Sequence, residues 1–224
     1  MQNKYYLKTD KRKRDFTNKV FLFITSAVLI ALFLAFYFKI YFFAPIFIWT
    51  LLSILAPFID TPILVKKGKL NYYSKLLLAE NENNNVMVIH GGTLFDYYFT
   101  LDKNASSRQR KIIILQQYLE GLLQIIVERK GQNLQIKATT YILNERTGKK
   151  IGFNCRKPDF IQTLILIINY PNLLVTKSFA NNVLSFPNLR KTRTFETDIN
   201  SLIKNQSIIE KLNTRLKETI NKKL

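Results

Sequence analysis

The sequence is poor in the residues that usually build a chemical centre. Among 224 residues there is one histidine, His90, one cysteine, Cys155, and one tryptophan, Trp49. A single thiol and a single imidazole cannot fill a coordination shell or form an internal disulfide, so neither a metal nor another cofactor is expected. Glycine and proline are also scarce, with 7 and 6 residues, and there is no G-x-x-x-x-G-K-[ST] phosphate loop and no G-x-S-x-G nucleophile elbow. Acid is short as well: 15 Asp and Glu stand against 34 Lys and Arg, for a net charge of +19. Such an excess favours anionic surroundings, either lipid headgroups or nucleic acid. A composition rich in Lys, Asn and Ile also follows from an AT-rich genome, in which case the lysines need no partner.

What the sequence has in abundance is long apolar runs near its start. Val20 to Phe38 carries no charge over 19 residues, a helix of about 28 Å that matches a bilayer hydrocarbon core. Tyr41 to Phe58 is a second uncharged run, separated from the first by Lys39 and Ile40 alone. The expected fold is therefore a membrane α-helical hairpin of two transmembrane helices followed by a cytoplasmic α+β domain. Its segments are a basic tail over 1–19, the hairpin over 20–59 and the domain over 60–224. Lys4, Lys8, Lys11, Arg12, Lys13, Arg14 and Lys19 precede the first run, and Lys66, Lys67 and Lys69 follow the second. The positive-inside rule then places both termini in the cytoplasm of a multi-pass inner-membrane protein. A cleaved signal peptide is disfavoured by the length of the run, the missing small-x-small site and the second run directly after it. Ala27, Ala31 and Ala35 lie on one helical face, a surface suited to close packing against the second run or a second copy of the chain. Trp49 falls near the middle of its run, away from the interfacial belt.

The remaining residues predict a basic α+β domain with five or six strands and two substantial helices. Leu70 to Glu80 reads as a strand or short helix. Val86 to His90 reads as a strand that meets Gly91 and Gly92, glycines expected at positive φ, with Thr93 as an N-cap. Ser107 to Lys130 is an amphipathic helix closed by Gly131. Leu134 to Leu143 and Lys150 to Asn154 read as a β-hairpin turning through Asn144 to Gly148. Phe160 to Tyr170, stopped by Pro171, is too short to cross a bilayer and is expected to be buried in preference to lying in the interface. Leu173 to Phe186 and Thr192 to Thr197 read as a further strand pair, and Asp198 to Asn221 as an amphipathic helix.

His90, Gly91, Gly92 and Asp96 form the one stretch that invites a catalytic reading. His-Gly-Gly resembles the oxyanion loop of lipases and esterases, and a sugar-nucleotide loop of glycosyltransferases. The first lacks its nucleophile here, and the second needs two nucleotide-fold domains that this chain has no room for. A histidine at a tight glycine turn is the plainer reading, and no catalytic residue is assigned. The candidate polyanion-binding residues are Lys66, Lys67 and Lys69 beside the membrane and Arg190, Lys191 and Arg193 beside Phe195, where guanidinium and aromatic groups together suit unpaired bases or lipid phosphates.

The layout of two closely spaced spans, Val20 to Phe38 and Tyr41 to Phe58, followed by a compact cytoplasmic domain, resembles the two-helix transmembrane effectors of bacterial anti-phage systems, including retron-associated ones. That resemblance implies an antiviral defence effector whose domain senses a partner and whose hairpin assembles and perturbs the membrane. The expected partners are membrane lipid, a second copy through the hairpin, and a nucleic acid or nucleoprotein. A constitutive membrane anchor or scaffold recruiting an acidic protein or nucleic acid and a membrane-bound enzyme using His90 are the alternatives.

Overall fold

The computed structural model of the chain describes residues 3–140 and 142–221. The first helix, α1 (Asp10–Tyr37), begins ten residues before the apolar run because Thr9 caps it, accepting from the Arg12 N–H. Among the described residues it is the one single helix long and apolar enough to cross a membrane. The second run differs from the continuous span expected. It forms α2 (Phe43–Leu55) and α3 (Pro57–Lys66), bent by 45° at Ala56. Pro57 and Pro62 have no N–H to donate and so weaken the ladder there, and α3 runs past Phe58 to Lys66. Gly68 at φ 65° ends it, and the Lys69 N–H reaches back to the Leu64 carbonyl, a Schellman closure that needs left-handed backbone.

The body beyond is α+β with a mixed six-stranded sheet in the order β1-β2-β3-β4-β6-β5. β1 (Leu70–Tyr72) and β2 (Leu77–Glu80) form an antiparallel pair closed by Ser74, whose buried hydroxyl accepts from the Leu76 and Leu77 N–H groups. β3 (Val86–Gly91) pairs with β2 and then crosses through α4 (Leu94–Thr100) and α5 (Ser107–Arg129) to β4 (Gln135–Thr140), its one parallel neighbour. A reciprocal Ser106–Gln109 capping box starts α5.

Beyond β4 the structure departs from the sequence reading. Tyr141, inside the strand expected over 134–143, lies outside the described residues. Asn144 does not open a hairpin turn. Its side chain accepts from the Thr147 N–H at 2.8 Å and caps a short helix, α6 (Glu145–Lys150). Gly148 in that helix is set so close that an added Cβ would lie 2.5 Å from the Phe195 ring. The strand expected over 150–154 is displaced: Lys150 ends α6, and β5 (Asn154–Arg156), at the sheet edge, shares only Asn154 with it. The apolar run becomes α7 (Phe160–Ile168), with none of its residues buried, against the expectation of burial. Pro171 does not stop the chain's helical course: it sits in the first turn of α8 (Tyr170–Asn181), where no N–H is needed, and the segment expected as a strand is helical. After a 3-10 turn at Leu189–Lys191, β6 (Arg193–Asp198) pairs antiparallel with β4 and β5. The last amphipathic stretch is divided at Asn205 into α9 (Ile199–Lys204) and α10 (Gln206–Asn221).

One face of the sheet meets α5, α9 and α10 in the main core, built from Leu77, Met87, Ile89, Ile125, Ile126, Ile136, Phe195 and Ile209 with their neighbours. The outer face is polar along much of its width. Lys137 lies opposite Glu196, and Arg156 also reaches that carboxylate, at 2.5 Å. The alternation follows from the two-residue repeat of a strand.

Candidate functional site

The structural feature that concentrates chemistry is the junction between the N-terminal helices and the α+β body. Asp96 occupies N3 of α4, where its carboxylate and the Thr93 hydroxyl form a capping box. Oδ2 accepts from the Thr93 N–H at 2.9 Å and from Thr93 Oγ1 at 2.8 Å. Oδ1 accepts from Asn3 Nδ2 at 2.8 Å and from the Tyr72 hydroxyl. The Thr93 hydroxyl proton is committed to Asp96, so Thr61 of α3 is the donor in the 3.4 Å contact between the two threonines. Asp96, Asn3 and Thr61 are all buried. Burial pushes the Asp96 carboxyl above the usual range and outweighs the hydrogen bonds that oppose it. Burial, together with the Asp96 charge, pushes the Tyr72 phenol up as well.

An aromatic cluster surrounds this polar knot. Tyr5 sits edge-on to Phe95 at 5.0 Å and to Phe16 at 5.9 Å, Phe16 meets Phe99 at 5.3 Å, and Phe58 of α3 meets Phe95 at 6.0 Å. The Lys8 ammonium lies 4.6 Å from the centre of the Phe99 ring. Phe16 and Phe58 are themselves 6.3 Å apart, so the foot of α1 and the start of α3 lie side by side on the body. A residue on each side of the apolar pair is thereby held by α4. Within the basic tail, Asn3, Tyr5 and Phe16 pack on the body, and the helix begins at Asp10.

A second bridge runs through α8, which packs against α2 as well as α4 and α5. At its far end the buried Arg110 of α5 donates to the Phe179 carbonyl at 2.5 Å and to the Lys103 carbonyl at 2.8 Å, with its guanidinium 5.0 Å from the centre of the Phe179 ring. Phe179 and Ala180 pack there against Leu76, Tyr97, Leu101 and Ile114.

The structure does not bring His90 and Asp96 together. His90 Nε2 lies 2.7 Å from Glu80 on the outer face of the sheet, whereas both oxygens of Asp96 are engaged by Asn3, Tyr72 and Thr93. Gly91 and Gly92 are not at positive φ. They answer a need for space, since a Cβ on Gly91 would lie 2.1 Å from the Tyr118 hydroxyl and one on Gly92 would lie 2.9 Å from Leu76. Ala31 and Ala35 are buried, with Ile24, on the side of α1 that packs on α2, whose Ala44 is also buried; Ala27 is half-buried and Trp49 remains 44% exposed. Lys66, Lys67 and Lys69 are exposed at the end of α3. Arg190 and Lys191 are exposed too, but Arg193 pairs with Glu145 at 2.5 Å and donates to the carbonyls of Arg190 and Thr192.

A cavity of about 410 Å³ opens between the sheet and helices α5 and α10, lined mainly by apolar side chains, with His90, Thr139, Thr140, Thr147, Arg215 and Thr219 among its polar lining residues. Its size is within the range of small-ligand pockets, and it lies toward the carboxyl ends of the parallel pair β3 and β4.

Sequence reasoning missed Asn3, Tyr5 and Tyr72. One signal was available: Thr93-x-x-Asp96 is a capping-box pattern. Nothing local links Asn3 to a carboxylate 93 positions away. No protein-family model matches the chain, and no curated protein or solved structure shows significant similarity to it.

Proposed function

We propose that the chain is a two-pass membrane effector whose cytoplasmic body clamps the base of a helical hairpin and, on meeting its trigger, releases that hairpin to assemble and disturb the bilayer. In this reading α1 is the first crossing and the bent α2–α3 pair the second. The Lys/Arg bias keeps both ends on the cytoplasmic side. The observation that carries the reading is the junction: Asn3 and Tyr5 ahead of α1, Phe16 in its first turns, and Phe58 and Thr61 of α3, just past the bend, all converge on α4 around Asp96. A simple tether needs no such grip. A latch needs a buried element that can be broken, and a carboxylate held by three chain segments supplies one. The cavity beneath α10 offers a place for a small trigger, and the exposed Lys66, Lys67, Lys69, Arg190 and Lys191 a surface for a polyanionic one. In this reading the seam where Ala31 and Ala35 face α2 belongs to the closed hairpin, so assembly would require the two helices to part or to use their outer faces.

The test is inducible expression of the full chain and of Asp96→Ala and Tyr5→Ala, with membrane potential, growth and the amount of membrane-fraction protein followed together. The expected result is depolarisation and growth arrest in the junction variants at protein levels where the parent is tolerated. Normal potential in every variant despite equal membrane levels would overturn the latch.

A further inference from the structure

We infer that α7, together with the start of α8 and the following segment Val183–Phe186, is a third membrane element, inserted part-way into the cytoplasmic leaflet of the bilayer that the hairpin crosses. The inference rests on the membrane reading above and adds a surface that the sequence had assigned to the core.

The amphipathicity of α7 is reversed relative to a helix on a water-soluble body. Gln162 points inward and accepts from Thr139 Oγ1 at 3.0 Å and Thr194 Oγ1 at 2.8 Å, on the outer face of the sheet. Phe160, Ile161, Leu164, Ile165, Ile167 and Ile168 are all exposed, Phe160 at 80% and Ile161 at 68%. At 100° per residue these six fill an outward arc of roughly 160°.

Three observations identify the bilayer as what covers this face. α7 is followed across the single residue Asn169 by α8, and α8 packs on α2, so α7 is joined to an element that touches the hairpin. Val183, Leu184 and Phe186, just after α8, are exposed at 64–67% and add further apolar surface. Basic pairs flank the whole stretch: Arg156 and Lys157 precede it and Arg190 and Lys191 follow it, all exposed. That is the arrangement expected where an apolar element enters from an anionic leaflet. Nine residues of helix span about 14 Å, too little to cross, so the element dips in and returns.

The experiment uses the full chain with Cys155→Ser, carrying in turn Phe33→Cys on α1, Leu164→Cys on α7 or Glu128→Cys on α5. Each thiol is labelled with the environment-sensitive fluorophore NBD, and the protein is reconstituted into phosphatidylethanolamine–phosphatidylglycerol vesicles. The expected result is blue-shifted emission quenched by brominated lipid at positions 33 and 164, and emission quenched only by aqueous iodide at 128. Lipid quenching at 33 with iodide quenching at 164 would overturn the inference and leave the membrane reading standing. Shielding of position 164 from both quenchers would overturn it in favour of a contact with a second copy. Absence of lipid quenching at 33 would remove the membrane reading and this inference with it.

Discussion

Helices α5 and α7 present opposite solutions to one problem. Both are amphipathic and both are capped at their N-termini by an oxygen-bearing side chain, Ser106 in one and Asp159 in the other. On α5 the apolar residues Ile125 and Ile126 are sealed in the core, while Gln124 and Glu128 pair with each other at the surface. On α7 the amide of Gln162 is turned in and the isoleucines are turned out. Periodicity marks an apolar face, but it does not say which medium that face meets. The junction follows the α7 pattern, with polar groups of three segments turned inward around Asp96.

The largest effect that would break this comparison is on α5. Ile125→Ala should cost about 2–5 kcal/mol of folding free energy in denaturant titrations of the full chain in mild detergent, because a side chain with no exposure leaves a cavity. Asp96→Ala should come next, at roughly 2–3 kcal/mol, since it orphans the buried Asn3 amide and the Tyr72 hydroxyl. Its milder companion Asp96→Asn sharpens the electrostatics. The Asp96 pKa is raised on folding, so its stabilising contribution is full below the unfolded value and lost as pH climbs through the folded one. The parent should therefore lose stability relative to Asp96→Asn as pH rises above about 4, and a difference that stayed flat with pH would mean that the carboxyl is not held in a desolvated site.

Gln162→Ala should cost about 1 kcal/mol, because Thr139 and Thr194 keep their mutual 3.1 Å contact when the amide is gone. Lys217→Met should cost less than about 1 kcal/mol at neutral pH, since its partner Glu120 is only partly shielded from water. The sign here is the reverse of that at Asp96. Burial works to raise the Glu120 carboxyl, but Lys217, Asn213 and Gln116 together bring it below its ordinary value. The pair's contribution is present above the unfolded pKa and lost as pH falls through the folded one, so the effect of Lys217→Met should fade in acid. Smallest of all, Ile165→Ala in detergent should be near zero. A loss there comparable to that at Ile125 would show that α7 packs against protein.

The sequence was informative wherever a signal was local. The uncharged run of α1, the strand ending at His90, the Thr93 cap and the stripe of α5 all rest on neighbours within a turn or two, and all four elements are present. It misled where a local signal had two solutions. Asn144 to Gly148 has the chemistry of a turn and also that of an N-capped helix, and the packing of Gly148 on Phe195 selected the helix. Pro171 reads as a terminator yet starts α8. The candidate site was less legible, because its members come from positions 3, 61, 72, 93 and 96 and only the last two are close in sequence.

The sequence by itself determined the apolar first helix, the basic flanks and the α+β character of the body, because charge, hydropathy and period belong to short stretches of chain. Tertiary structure alone decided that α2 and α3 bend at Ala56, that Asp96 faces Asn3 instead of His90, and that the apolar side of α7 points away from the core. Each of those outcomes depends on partners far apart in the chain, such as Asn3 with Asp96 and Gln162 with Thr139 and Thr194, and no short stretch of sequence specifies them.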